Sequence, residues 1–138
     1  MPINNILVIE PDVEYHEVYA IYLPKHFPGA TVTCVSDNLA DLEAIAKRQF
    51  NGPFDLYITN YPYPRDFAAS RPHDALLQRI ETIRSVYQDA MIALVTGRTH
   101  LKALARAIRI DYFLKQSPTL FADIATRYNG GQWLVNDT

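Results

Sequence analysis

The side chains in this sequence best placed to do chemistry are two acids, Glu10 and Asp12, an amide, Asn60, a hydroxyl, Thr96, and an ammonium, Lys115, with Pro11 set between the acids. Each stands where a short apolar run ends. Glu10 to Asp12 follow Ile6 to Ile9, Asn60 follows Phe54 to Thr59, Thr96 follows Met91 to Val95, and Lys115 follows Tyr112 to Leu114. Such groups supply charge and hydrogen bonds rather than an activated nucleophile. No serine sits in a Gly-x-Ser-x-Gly elbow, and the turn after the first apolar run lacks the glycine-rich or Ser/Thr-rich cradle of nucleotide and flavin binders. Cys34 is the only cysteine, which excludes an intrachain disulfide and a multi-cysteine zinc cage, and it reads as a buried apolar residue.

The apolar runs that carry these groups read as strands. Ile6 to Ile9 and Met91 to Val95 are continuous rather than alternating, as in strands covered on both faces of a parallel sheet. Thr31 to Val35 alternates and reads as an edge strand. Helical spacing fills the intervals. Tyr15, Val18, Tyr19, Tyr22 and Leu23 follow Asp12 as N-cap, with a stop near Pro24; Leu39, Leu42, Ile45 and Ala46 follow a cap at Asp37 or Asn38 and end at Asn51 to Pro53. Leu76, Leu77, Ile80, Ile83 and Tyr87 share one face of a third helix, and Leu101, Leu104, Ala105 and Ile108 mark a fourth. Ser117 and Pro118 suit N-cap and N1 of a last helix through Leu120, Phe121, Ile124 and Tyr128, closed at Asn129 and Gly130. Five strands alternating with five helices predict an α/β, doubly wound parallel sheet, in which ligands bind at the strand carboxyl ends. The six positions named first all lie there.

Composition bounds the rest. At 138 residues the chain has the size of one domain, residues 1–138, and its 49% hydrophobic and 20% charged content is that of a globular fold. A formal charge of -2 proposes neither a nucleic-acid nor a membrane partner. No basic leader or span of about 18 apolar residues is visible, so a cytoplasmic location is the expectation.

With these pieces in order, the chain resembles the receiver domain of two-component response regulators over nearly its whole length. ILVIEPD is similar to that family's first strand with its acidic cluster, DLYITNYPYP to its third strand with the phosphoacceptor and a proline four residues on, Pro64. ALVTG resembles the fourth-strand segment ending in a hydroxyl residue, and DYFLK the fifth-strand segment with its switch aromatic, Tyr112, and lysine. The resemblance implies a flavodoxin-like sheet of order 2-1-3-4-5. It also implies a phosphorelay pocket in which a carboxylate takes a phosphoryl group beside a magnesium ion, with hydroxyl and ammonium binding the remaining oxygens. This chain departs where charge is needed. Asn60 stands at the phosphoacceptor and Pro11 at the second acid. The reading is therefore a degenerate pocket, not an enzyme, with no cofactor expected and at best a weak magnesium site at Glu10 and Asp12. Simpler roles stand beside these: Asp12 as a helix cap, Glu10 as a solvated rim acid, Lys115 paired with Glu10 or Asp12, Thr96 capping the helix near Thr99, and Tyr112 as a packed aromatic.

A pseudo-receiver must act through a partner protein. From Arg98 to Arg109 the chain carries Arg98, His100, Lys102, Arg106 and Arg109 with no acid between them, giving the fourth helix a basic outer side. By the resemblance, the fourth helix, fifth strand and fifth helix form the partner face, with Lys102, Arg106 and Tyr112 expected to contribute most; a homodimer is left open. The proline- and tyrosine-rich stretch from Tyr61 to His73 reads as a long loop over the pocket. Two alternatives remain at this point: a phosphorylatable receiver with a substitute acceptor such as Asp66, and a small flavodoxin-like enzyme.

Overall fold

The structure, a computed structural model, describes residues 3–46, 54–62 and 73–129. Five strands, β1 (Asn5–Ile9), β2 (Thr31–Val35), β3 (Leu56–Thr59), β4 (Met91–Thr96) and β5 (Asp111–Leu114), form one parallel sheet of order β2-β1-β3-β4-β5. Between and after them come α1 (Val13–His26), α2 (Leu39–Ala46), α3 (Asp74–Val86), α4 (Lys102–Ala107) and α5 (Leu120–Asn129). This is the flavodoxin-like fold and strand order that the sequence predicts.

The continuous apolar strands have a simple cause. Leu7 and Ile9 of β1, Tyr57 of β3, and Ile92 and Leu94 of β4 face a core shared with Ile45, Leu76, Ile80, Ile83, Leu101 and Ala105. Their neighbours Ile6, Val8, Leu56, Ile58, Ala93 and Val95 face Tyr19, Leu23, Leu120, Ile124 and Tyr128. Helices α2, α3 and α4 thus cover one face and α1 and α5 the other, so the alternation of a strand buries both sets. Each Leu or Ile so buried contributes about 1.5–3 kcal/mol.

Helix boundaries differ from the sequence reading in instructive ways. Helix α1 runs through Pro24 to His26, because a proline in the last turn forfeits only one backbone bond; Phe27 N–H still reaches Leu23 O at 2.8 Å. Gly29, with φ of +81°, then makes the turn into β2. Of the two caps proposed for α2, Asn38 does the work: Asp41 N–H donates to Asn38 Oδ1 at 2.8 Å, and Asp41 reaches back to Ser36 N–H at 2.8 Å. That leaves the Asp37 carboxylate available elsewhere. A 3₁₀ turn at Thr99–Leu101 precedes α4. Helix α5 starts at Leu120 rather than Pro118, since Ser117 Oγ accepts from Thr119 N–H and holds Pro118 and Thr119 in a turn. The expected α2 stop at Asn51 to Pro53, and Gly130, lie outside the described residues. On α3 the buried positions are Leu76, Arg79, Ile80 and Ile83, while Leu77 is 40% exposed. The inward stripe therefore carries an arginine where the sequence reading placed Leu77.

Candidate functional site

The carboxyl ends of β1, β3, β4 and β5 and the loop after β2 bring together two charged groupings. The first joins the ends of β1 and β5. Glu10 is buried, at 3% side-chain exposure, not the solvated rim acid considered above. Both its oxygens are taken: Oε1 accepts from Lys115 Nζ at 2.5 Å, and Oε2 from Asp12 N–H at 3.1 Å. Lys115 also lies 4.0 Å from the centre of the Tyr15 ring, a cation–π contact that further occupies its charge. Asp12 acts as the N-cap of α1, its Oδ1 accepting from Glu14 N–H at 3.0 Å, and Pro11 is exposed and adds no side-chain oxygen. His16 is fixed beside them, its Nε2 2.6 Å from Glu10 O.

The second grouping is built around Asn60. Its backbone N–H donates to Ile9 O at 3.1 Å, which places it beside the end of β1. Its side chain turns the other way. Arg79 Nη1 donates to Asn60 Oδ1 at 2.6 Å and to Thr59 Oγ1 at 2.9 Å, Arg79 Nη2 donates to Asp37 Oδ1, and Asn60 Nδ2 donates to Asp37 Oδ2 at 3.3 Å. Three side chains thus close a ring: cation to amide oxygen, amide nitrogen to carboxylate, carboxylate to cation. Only a group with both a donor and an acceptor can stand between an arginine and an aspartate in this way, and Asn has both. An aspartate at position 60 would face the Asp37 carboxylate with a second negative charge. The Arg79 side chain is 3% exposed and the Asp37 side chain 16%.

The remaining positions are placed by backbone and turn. Thr96 is buried; its Oγ1 accepts from Arg98 N–H at 3.3 Å, capping the turn before Thr99, and its carbonyl accepts from Lys115 N–H at 3.0 Å. Tyr112 is half-buried against the α3 and α4 side of the core, and its hydroxyl donates to Arg98 O at 3.3 Å. Burial raises its phenol pKa. Lys102 and Arg106 are exposed on α4, and their side chains make no hydrogen bond or ion pair among the described residues. Cys34 is only half-buried; burial first and the Glu10 carboxylate second push its thiol up to about 11, which lowers its thiolate fraction at neutral pH. Most of the Tyr61 to His73 loop, with Pro64 and Asp66, lies outside the described residues. Its two ends meet, Tyr61 Oη standing 3.0 Å from His73 Nδ1.

Glu10, Asp12, Asn60, Thr96 and Lys115 lie at the strand carboxyl ends where the sequence places them, and Asp37 and Arg79, which the sequence did not single out for this pocket, join Asn60 there. A signal for Arg79 was present: 76, 79, 80 and 83 form one helical stripe, and a cation on it must find an acid. Asp37 carried none, because its partner lies 42 residues away in sequence. The acids of the pocket are each engaged: Glu10 by Lys115, Asp37 by Arg79, and Asp12 as the cap of α1, so a magnesium ion would have to displace a cation or the cap to find carboxylate ligands here.

No protein-family model matches the sequence, and no curated protein matches it. The fold does have solved counterparts. The response regulator TrrA of Thermotoga maritima, in complex with Mg2+ and BeF, superposes with a TM-score of 0.65 at 21% identity, covering 92% of this chain and 97% of its own. The chemotaxis protein CheY4 of Vibrio cholerae gives 0.65 at 19%, covering 91% and 98%. A response regulator receiver domain from Clostridium thermocellum gives 0.67 at 17%, covering 92% of each chain. At such identities the likeness establishes the receiver-type fold. Among the described residues no helix is long and apolar enough to cross a membrane.

Proposed function

We propose that this chain is a receiver-like signalling module that takes no phosphoryl group at position 60 and works by binding another protein. The observation that carries this reading is the closed ring of Asn60, Arg79 and Asp37. A phosphoacceptor must present a carboxylate toward a metal and an incoming phosphoryl group. Here the corresponding side chain is an amide whose oxygen and nitrogen are both bonded, and the cation beside it is a fixed guanidinium rather than an exchangeable ion. Lys115, the group that would bind a phosphoryl oxygen, is held by Glu10 and Tyr15.

The partner face in this reading comprises α4, β5 and α5. Leu101, Leu120 and Ile124 are buried beneath it, and the Tyr112 hydroxyl bond to Arg98 O fixes the orientation of that ring. Exposed Lys102 and Arg106 steer an acidic partner in the cytoplasm, while Tyr112 supplies contact area. The test is a backbone amide spectrum recorded with magnesium and beryllium fluoride, a phosphoryl mimic. The Glu10, Asn60 and Lys115 resonances are expected to stay in place. Saturable shifts at these three residues would return the chain to the ordinary phosphorylated receivers.

A further inference from the structure

Helices α3 and α4 do not close against each other completely. They leave a groove of about 590 Å³ whose apolar wall is made by Leu77, Ile80 and Ile108, and whose charged groups are Arg84, Arg109 and Glu81. Leu77 is one of the few large apolar side chains exposed among the described residues. The cations outnumber the acid, and neither arginine makes an ion pair among the described residues. Arg84 Nη2 donates to Ile108 O at 3.0 Å and Arg109 O at 3.1 Å. These neutral carbonyls fix the guanidinium and pin the end of α4 to α3, but they leave its charge uncompensated. The two bonds tie the groove's α3 and α4 walls together before anything enters it.

Arg109 adds an independent observation. Its φ is +61°, the left-handed conformation that ends α4, with Ile110 N–H returning to Ala105 O at 3.0 Å. Glycine is the residue that adopts this position without strain, and a long charged side chain standing there at a cost in backbone energy points to a use for the side chain. The Arg109 side chain is exposed and makes no hydrogen bond among the described residues. Lys102 and Arg106, exposed on the same short helix, extend the positive charge.

We infer that the groove between α3 and α4 receives an acidic peptide segment of a partner protein, seating an aliphatic side chain against Leu77, Ile80 and Ile108 and a neighbouring carboxylate on Arg109. The inference deepens the interaction-module reading and rests on it. It names a surface beyond the α4, β5 and α5 face and the chemistry of what fills it.

A random twelve-residue peptide display library selected against the full chain tests it. Enriched peptides are expected to carry Asp or Glu beside Leu, Ile or Met. Their synthetic forms should lose about tenfold in affinity to both Arg109→Gly and Leu77→Glu. Arg109→Gly relieves the left-handed strain, so its melting temperature should rise while its binding falls, a combination that damage to the fold cannot produce. Peptides lacking acids, or binding both variants as tightly as the native chain, overturn the inference. Peptides that depend on Lys102, Arg106 and Tyr112 but not on Leu77 or Arg109 overturn the groove and leave the module reading in place. Enrichment of nothing removes both.

Discussion

The two charged groupings at the sheet's carboxyl end are mirror images in burial. In the Glu10 and Lys115 pair the acid is the deeper member, 3% exposed against 23%; in the Arg79 and Asp37 pair the cation is, 3% against 16%. That inversion matters because the two buried groups have different escapes. A glutamate deprived of its partner can take up a proton and become neutral, whereas a guanidinium stays charged at any pH a protein survives. The β1 and β5 ends are therefore held by a pair whose buried member is a carboxylate with two hydrogen-bond donors. The β3 end is held by one whose buried member is a permanent cation.

The largest expected effect follows from this asymmetry. Asp37→Ala should lower unfolding free energy by about 3 kcal/mol, measured by urea titration at neutral pH, because it removes the carboxylate paired with a buried guanidinium, and Thr59 and Asn60 offer that cation neutral oxygens in its place. Lys115→Ala should cost less, about 2 kcal/mol, since Glu10 keeps the Asp12 N–H and the lysine it loses is partly exposed. Equal losses in the two variants would break the comparison. The smallest effect concerns Cys34, whose thiol is pushed up to about 11 by burial and then by the Glu10 carboxylate. Removing that negative charge in Glu10→Gln lowers the thiol pKa, so more thiolate forms at a given pH. Labelling by a disulfide reagent at pH 8 should then speed up a few-fold, while Asp37→Ala should leave it unchanged. Acceleration in both would mean that the two groupings are not electrostatically separate.

The same contrast explains what the sequence made legible. Strand ends with their charged residues are local patterns, so Glu10, Asp12, Asn60, Thr96 and Lys115 could be placed from the apolar runs alone. The Lys115 and Glu10 pairing could be anticipated because both lie at strand carboxyl ends. The ring around Asn60 could not be read in the same way. It depends on Asn38 rather than Asp37 capping α2, and on Arg79 rather than Leu77 turning inward on α3. Each choice is a contest between adjacent residues that local propensity leaves undecided and packing against the sheet resolves. Glu10 was likewise ambiguous from sequence, since only the fold decides whether a strand-end acid meets solvent or a lysine.

These two contests also set what position 60 can do. With Arg79 and Asp37 in place, an aspartate introduced there would be drawn onto the guanidinium and repelled by a neighbouring carboxylate, while Pro11 still withholds an acid from any metal. The most direct measurement is intact mass after incubation with acetyl phosphate and magnesium, for the native chain and for Asn60→Asp. The expected result is no phosphoryl gain on the native chain and little on the variant. A stoichiometric gain of one phosphoryl group by the native chain would contradict the account, and efficient labelling of Asn60→Asp would show that Glu10 and Asp12 hold enough metal despite the ring.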